Sequence, residues 1–221
     1  MDPHPRLDLK RELSHRRDDF VVGPANEAAI EALDAWPDWL GKILMLVGPE
    51  GSGKTHLARD WAIAANGHFL CDVEAELADL HTLEGAPVAV DDADRVDDET
   101  LFHLINQAGA EGGALLLTAR TRPQAWTVSL PDLRSRLNAL RVVEIAAPDD
   151  VVLAGVLRRL FEQACIKPSD ETVDYLVRRI ERSVPRARAL VALLDAEHRP
   201  VTRKLAREVL AREGFGDDTE A

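Results

Sequence analysis

The run Gly48-Pro49-Glu50-Gly51-Ser52-Gly53-Lys54-Thr55 constrains this chain more than any other feature, because an apolar stretch at 43–47 precedes it and a helical pattern at 57–65 follows. Spaced glycines let the backbone curl so that successive N–H groups point inward at an anion, a lysine adds a point charge, and a hydroxyl can reach Mg²⁺. The following helix turns its positive end toward the same anion. Gly48, Pro49, Gly51, Ser52, Gly53, Lys54, Thr55 and the adjoining His56 are therefore the candidate contacts to a phosphate-bearing ligand, with Thr55 also a metal candidate.

Such a cradle needs an acid at the end of a buried strand. Val88-Ala89-Val90-Asp91-Asp92 has that form, and Asp91 is the residue expected to hold Mg²⁺, directly or through water. Asp92, Asp94, Asp97 and Asp98 also fit a solvated acidic turn that caps a helix at 99–107.

Short apolar runs at 43–47, 69–73, 88–90, 114–118 and 142–145, each bounded by Gly, Pro or charge, alternate with longer helical patterns. This predicts an α/β fold with a parallel five-stranded sheet wrapped by helices. After Pro148 no β-branched run recurs, and the pattern predicts a small all-α part of three or four helices. Asp149 and Asp150 open the first, Ser169 caps the second, Pro185 restarts the third and Thr202 caps the last. The expected division is a flexible arm at 1–19, an α/β nucleotide-binding core at 20–147, a helical lid at 148–214 and an acidic tail at 215–221.

With 46% apolar residues, 221 residues suffice for a packed core, and a formal charge of −12 argues against general affinity for nucleic acid. Cys71 and Cys165 have no Cys or His at metal-ligand spacing and read as buried thiols of a reducing cytoplasm. The start lacks the apolar core of a signal peptide, and no run approaches the roughly 20 residues that span a bilayer. The expectation is a cytoplasmic protein with no membrane association.

With these residues placed, the chain resembles the DnaA-related AAA+ family, and more closely its shortened Hda (HdaA) regulatory branch. Phe20-Val21-Val22-Gly23-Pro24-Ala25-Asn26 is similar to the segment that wraps the adenine base, with Val21 and Val22 as apolar faces, although ordinary core packing also accounts for these valines. Leu130-Pro131-Asp132-Leu133-Arg134-Ser135-Arg136-Leu137 resembles the segment bearing an arginine finger, which implies a catalytic role for Arg136, with Arg134 as second choice. Leu115-Leu116-Leu117-Thr118-Ala119-Arg120 resembles the sensor 1 strand, but Arg120 stands where the initiator has Asp, so Thr118 is the expected contact. Arg186-Ala187-Arg188-Ala189-Leu190 resembles the sensor 2 helix, with Arg188 favoured over Arg186; a solvated basic face with Arg178, Arg179 and Arg182 is the alternative. Asp92 replaces the Glu that positions the attacking water in many AAA+ enzymes, and its shorter arm argues against fast unaided hydrolysis.

The resemblance implies resident ADP (or ATP) with Mg²⁺, and a negative regulator of replication initiation that stimulates hydrolysis of DnaA-bound ATP. The chain ends about where the helical lid does, so sequence-specific DNA binding through the initiator's helix-turn-helix is not expected. His4-Pro5-Arg6-Leu7-Asp8-Leu9 resembles the Hda motif that docks on the sliding clamp, the DNA polymerase III beta subunit, with His4 where Gln is usual. His4, Leu7 and Leu9 are the expected partner contacts, and the family allows a homo-oligomer. The rival reading is a DNA-acting AAA+ ATPase or helicase loader, which would show DNA-stimulated turnover.

Overall fold

The computed structural model describes residues 20–214; the readings at His4, Leu7 and Leu9 and at the tail lie outside the described residues. Helix α1 (Glu27–Asp34) leads through β1 (Ile43–Val47), α2 (Lys54–Ala64), β2 (His68–Leu70), α3 (Asp72–Leu77), β3 (Pro87–Val90), α4 (Asp98–Gln107), β4 (Ala114–Ala119) and α5 (Pro131–Asn138) to β5 (Arg141–Glu144). Then α6 (Asp150–Gln163), α7 (Asp170–Val177), α8 (Val184–Ala196) and α9 (Arg203–Glu213) follow with no strand between them.

The strands form one sheet in the order β2-β3-β4-β1-β5, every pair parallel. A parallel sheet covered on both faces needs strands apolar at every position, and all five residues of β1 are buried. Their alternation sorts the helices. Ile43, Met45 and Val47 pack with Val88, Val90, Leu115 and Leu117 against Leu101 and Leu104 of α4 and Leu133 and Leu137 of α5. Leu44 and Leu46 face the other way, with Ala89 and Leu116, against Leu57 and Trp61 of α2 and Leu33 of α1. A third apolar cluster joins Leu157 and Phe161 of α6 to Leu176, Leu190, Leu194 and Val209.

Helix boundaries follow the capping chemistry. Asp149 accepts from the Val152 amide at 2.8 Å, Ser169 from Thr172 at 3.3 Å and Thr202 from Leu205 at 3.3 Å, each cap contributing about 1 kcal/mol. Pro185 lies in the first turn of α8, and Gly214 closes α9 at φ +64°. Asp97 caps α4 by accepting from the amides of Glu99 and Thr100.

Two expectations need correction. The strand expected at 69–73 ends at Leu70, because Cys71 forms a capping box with Glu74, whose carboxylate accepts the Cys71 amide at 3.0 Å and starts α3. Nor are the cysteines buried: Cys71 is half-buried at that cap, and Cys165 is exposed on the turn after α6, where φ is +58°.

Candidate functional site

β1, β3 and β4 are neighbours, so the chain segments leaving their C-terminal ends meet on one edge of the sheet. The loop after β1 fits there only as glycine. A Cβ on Gly48 would lie 2.2 Å from the Ile145 carbonyl oxygen, and Gly51 and Gly53 adopt φ of +75° and +100°.

Lys54 is buried, with 6% exposure, and its Nζ donates to the carbonyls of Gly48 and Pro49 at 2.8 and 2.9 Å. Burial pulls its pKa below the ordinary lysine value, while Asp92 and Asp91 push the other way. Ser52 Oγ is buried in the same loop with no hydrogen-bond partner among the described residues. A buried ammonium and an orphaned hydroxyl in a glycine loop at a helix N-terminus fit a phosphate group.

Thr55 Oγ1 donates to Asp91 Oδ2 at 2.8 Å, bringing together a hydroxyl and a carboxylate of the type that Mg²⁺ takes beside phosphate oxygens and water. Among the described residues no group of three or more His, Cys, Asp and Glu could hold a metal ion. Thr118, fully buried in β4, donates to Asp91 Oδ1 at 2.5 Å and accepts from the Asp92 amide at 3.1 Å. Its hydroxyl thereby holds the Asp91 carboxylate and the backbone of Asp92. We expect Thr118→Val to lower Mg²⁺-dependent nucleotide affinity about tenfold or more, as loss of supporting contacts does elsewhere. Titration calorimetry with and without Mg²⁺ checks this, and an unchanged Mg²⁺ dependence would remove Thr118 from that role.

Asp92 sits at φ +50°, with Arg95 at 3.8 Å. Burial, then the like charge of Asp91, raises its pKa, the direction that suits a group taking a proton from water. Arg120, leaving β4, pairs with Glu50 of the loop at 3.1 Å.

Beside the loop lies a cavity between the sheet core and the helical half. Phe20, Val21, Gly53 and His56 line one side, and Val152, Val156, Val184 and Arg188 the other. The Phe20 ring lies 5.5 Å from that of His56, and Asn26 locks the segment by donating to the Val21 carbonyl and accepting from the Gly23 amide, both at 2.9 Å. An apolar slot next to a phosphate loop suits a flat base. Val21 enters it; Val22 does not, its side chain lying 56% exposed outside. Arg188 reaches the cavity, whereas Arg186 pairs with Glu181 at 2.9 Å. Phe20 opens the segment compared with the adenine-wrapping one but is not singled out by the sequence, and the α6 valines carry no sequence signal of a site. The spacing of Val152, Val156 and Leu160 marks a buried helix face, but nothing in it says that the face borders a ligand.

Arg136 belongs to neither the loop nor the cavity. It is exposed on α5, bonded to Asp132 at 3.2 Å and lying 5.2 Å from the centre of the Phe102 ring. Arg134 is engaged with the Val128 carbonyl.

No protein-family model matches the chain. An uncharacterized protein of Haemophilus influenzae is 32% identical over 177 residues, covering 72% of this chain and 75% of that one. The chromosomal replication initiator protein DnaA of Caulobacter vibrioides is 27% identical over 213 residues, or 80% of this chain and 43% of the initiator. The chain thus spans less than half the length of the initiators it matches. Domain III of the Thermotoga maritima replication initiation protein DnaA superposes with a TM-score of 0.76 at 20% identity, covering 93% of this chain and 98% of that one. A replication initiator DnaA bound to AMPPCP and single-stranded DNA gives 0.72 at 18% identity, covering 92% and 69%. Both share the parallel sheet and flanking helices.

Proposed function

We propose a function on one premise: this chain belongs to the DnaA-related AAA+ family. It acts in DNA replication initiation as an Hda-like negative regulator. The phosphate loop and cavity hold ADP, with Thr55 and Asp91 at Mg²⁺, and Arg136 enters the nucleotide site of ATP-bound DnaA to stimulate hydrolysis there. A fixed guanidinium beside the transferred phosphoryl neutralises the charge that develops on it, without needing to move a proton.

The observation that supports this reading is the separation of two groups of residues on one chain. The loop, the acids and the cavity lie together, while Arg136 stands exposed on α5, outside its own cavity. A cation so placed serves a neighbour better than its own subunit.

The test is to mix the purified chain with ATP-bound DnaA and clamp loaded on DNA, and to follow phosphate release with and without ADP. Release that rises only when chain, clamp and ADP are all present supports the proposal. DNA-stimulated turnover by the chain alone would point instead to a motor or helicase loader.

Docking on the clamp is assigned to His4, Leu7 and Leu9. The two leucines would bury in an apolar groove of the clamp, a small contact whose affinity is modest, so that avidity across the ring matters. Replacing Leu7 and Leu9 with alanine should cut clamp retention in a pull-down and leave the melting temperature nearly unchanged. Full retention by the double variant would show the docking assignment wrong.

A further inference from the structure

Helix α5 begins without a cap of its own, since its N-cap residue is Leu130, with no side-chain hydrogen bond to the helix. Instead, α4 holds the two residues that lead into it. A single oxygen of Asp98, Oδ2, accepts from the backbone N–H of Ser129 at 2.6 Å and of Leu130 at 3.2 Å, and also from the Ser129 hydroxyl. The Ser129 hydroxyl, ahead of the two amides, holds the Asp98 carboxyl below the usual carboxylate range. As the first residue of α4, Asp98 is also favoured in its charged form by the helix dipole.

One turn further along α4, Phe102 lies beneath the Arg136 guanidinium, 5.2 Å from ring centre to the cation. Residues four apart share a helix face, so one face of α4 both grips the entrance to α5 and supports the arginine at its far end. Leu133 and Leu137, 0% and 1% exposed, keep α5 attached to the core whatever happens at its start. Loss of the grip would change the direction of α5 rather than its presence.

We propose that Asp98 is a positioning residue for Arg136: its carboxylate fixes the start of α5, so that the guanidinium resting on Phe102 points at one place on a neighbouring subunit. This rests on the reading of Arg136 as an arginine finger. Misplacement by about an ångström can cost up to about a hundredfold in rate, which is the effect that such a clamp prevents.

The test compares the full chain with Asp98→Ala, Asp98→Asn and Arg136→Ala. Amide exchange at Ser129 and Leu130 should quicken about tenfold in Asp98→Ala, reporting the clamp without any partner. In the reconstituted reaction, the maximal stimulated rate of Asp98→Ala should fall about tenfold or more, with the half-saturating concentration of the chain unchanged. Asparagine keeps an acceptor oxygen and should restore most of that rate. Unchanged amide exchange would overturn the inference, as would a wild-type maximal rate in Asp98→Ala when Arg136→Ala is inactive. Full stimulation by Arg136→Ala is a different result: it would remove the finger reading itself, and the positioning role with it, even if exchange showed the clamp intact.

Discussion

Arg136→Ala is expected to lower the stimulated hydrolysis of DnaA-bound ATP by about three orders of magnitude or more, the scale on which arginine fingers act. Little else should change. In the free chain the side chain makes an exposed helix-surface pair with Asp132, worth a few tenths of a kcal/mol, and an exposed contact with Phe102, worth about 0.5–1 kcal/mol. Leu133 and Leu137 hold α5 in the core without it. The variant should therefore melt within a few degrees of wild type and bind nucleotide equally well. Arg136→Lys keeps the charge but loses the planar fork, and should recover only part of the rate. Phosphate release at saturating chain gives the answer, and undiminished stimulation by the alanine variant would exclude Arg136 from the chemistry.

Lys54→Ala should abolish measurable nucleotide binding. Nucleotide at ~100 times its dissociation constant stabilises the wild type by about 2.7 kcal/mol, a gain that the variant cannot share. The two ligand-free proteins should differ much less. The substitution removes two bonds to the Gly48 and Pro49 carbonyls but also an ammonium whose burial disfavours its charge. Melting curves with and without nucleotide separate the effects, and calorimetry showing equal affinity for both proteins would refute the assignment.

The fold was legible where periodicity and local chemistry agree. The unbroken apolar run at 43–47 is what a strand covered on both faces requires, and the caps at Asp149, Ser169 and Thr202 are set by their own neighbours. The end of β2 was not legible, because Cys71 seldom serves as a cap and a propensity reading runs through it. Within the site, the loop and Asp91 announce themselves by spacing, but the bond from Thr118 to Asp91 joins strands far apart in sequence. The same holds for the grip of Asp98 on Ser129, which an acidic turn in a sequence cannot distinguish from solvated charge. Val21 and Val22 look alike in the chain, and only the turn of the backbone sends one into the cavity and the other to water.

A Cβ at position 51 would meet Ser183 Oγ at 2.6 Å and Pro185 Cδ at 2.9 Å, and the Val184 amide donates to the Gly51 carbonyl at 3.3 Å. The anion loop thus lies directly against the first turn of α8, with the Ser183 and Pro185 side chains filling the space that a side chain at 51 would need. A ligand that displaced the loop would therefore press on the start of α8, so that any change of fit at a small internal site would be passed to the outline of the helical half.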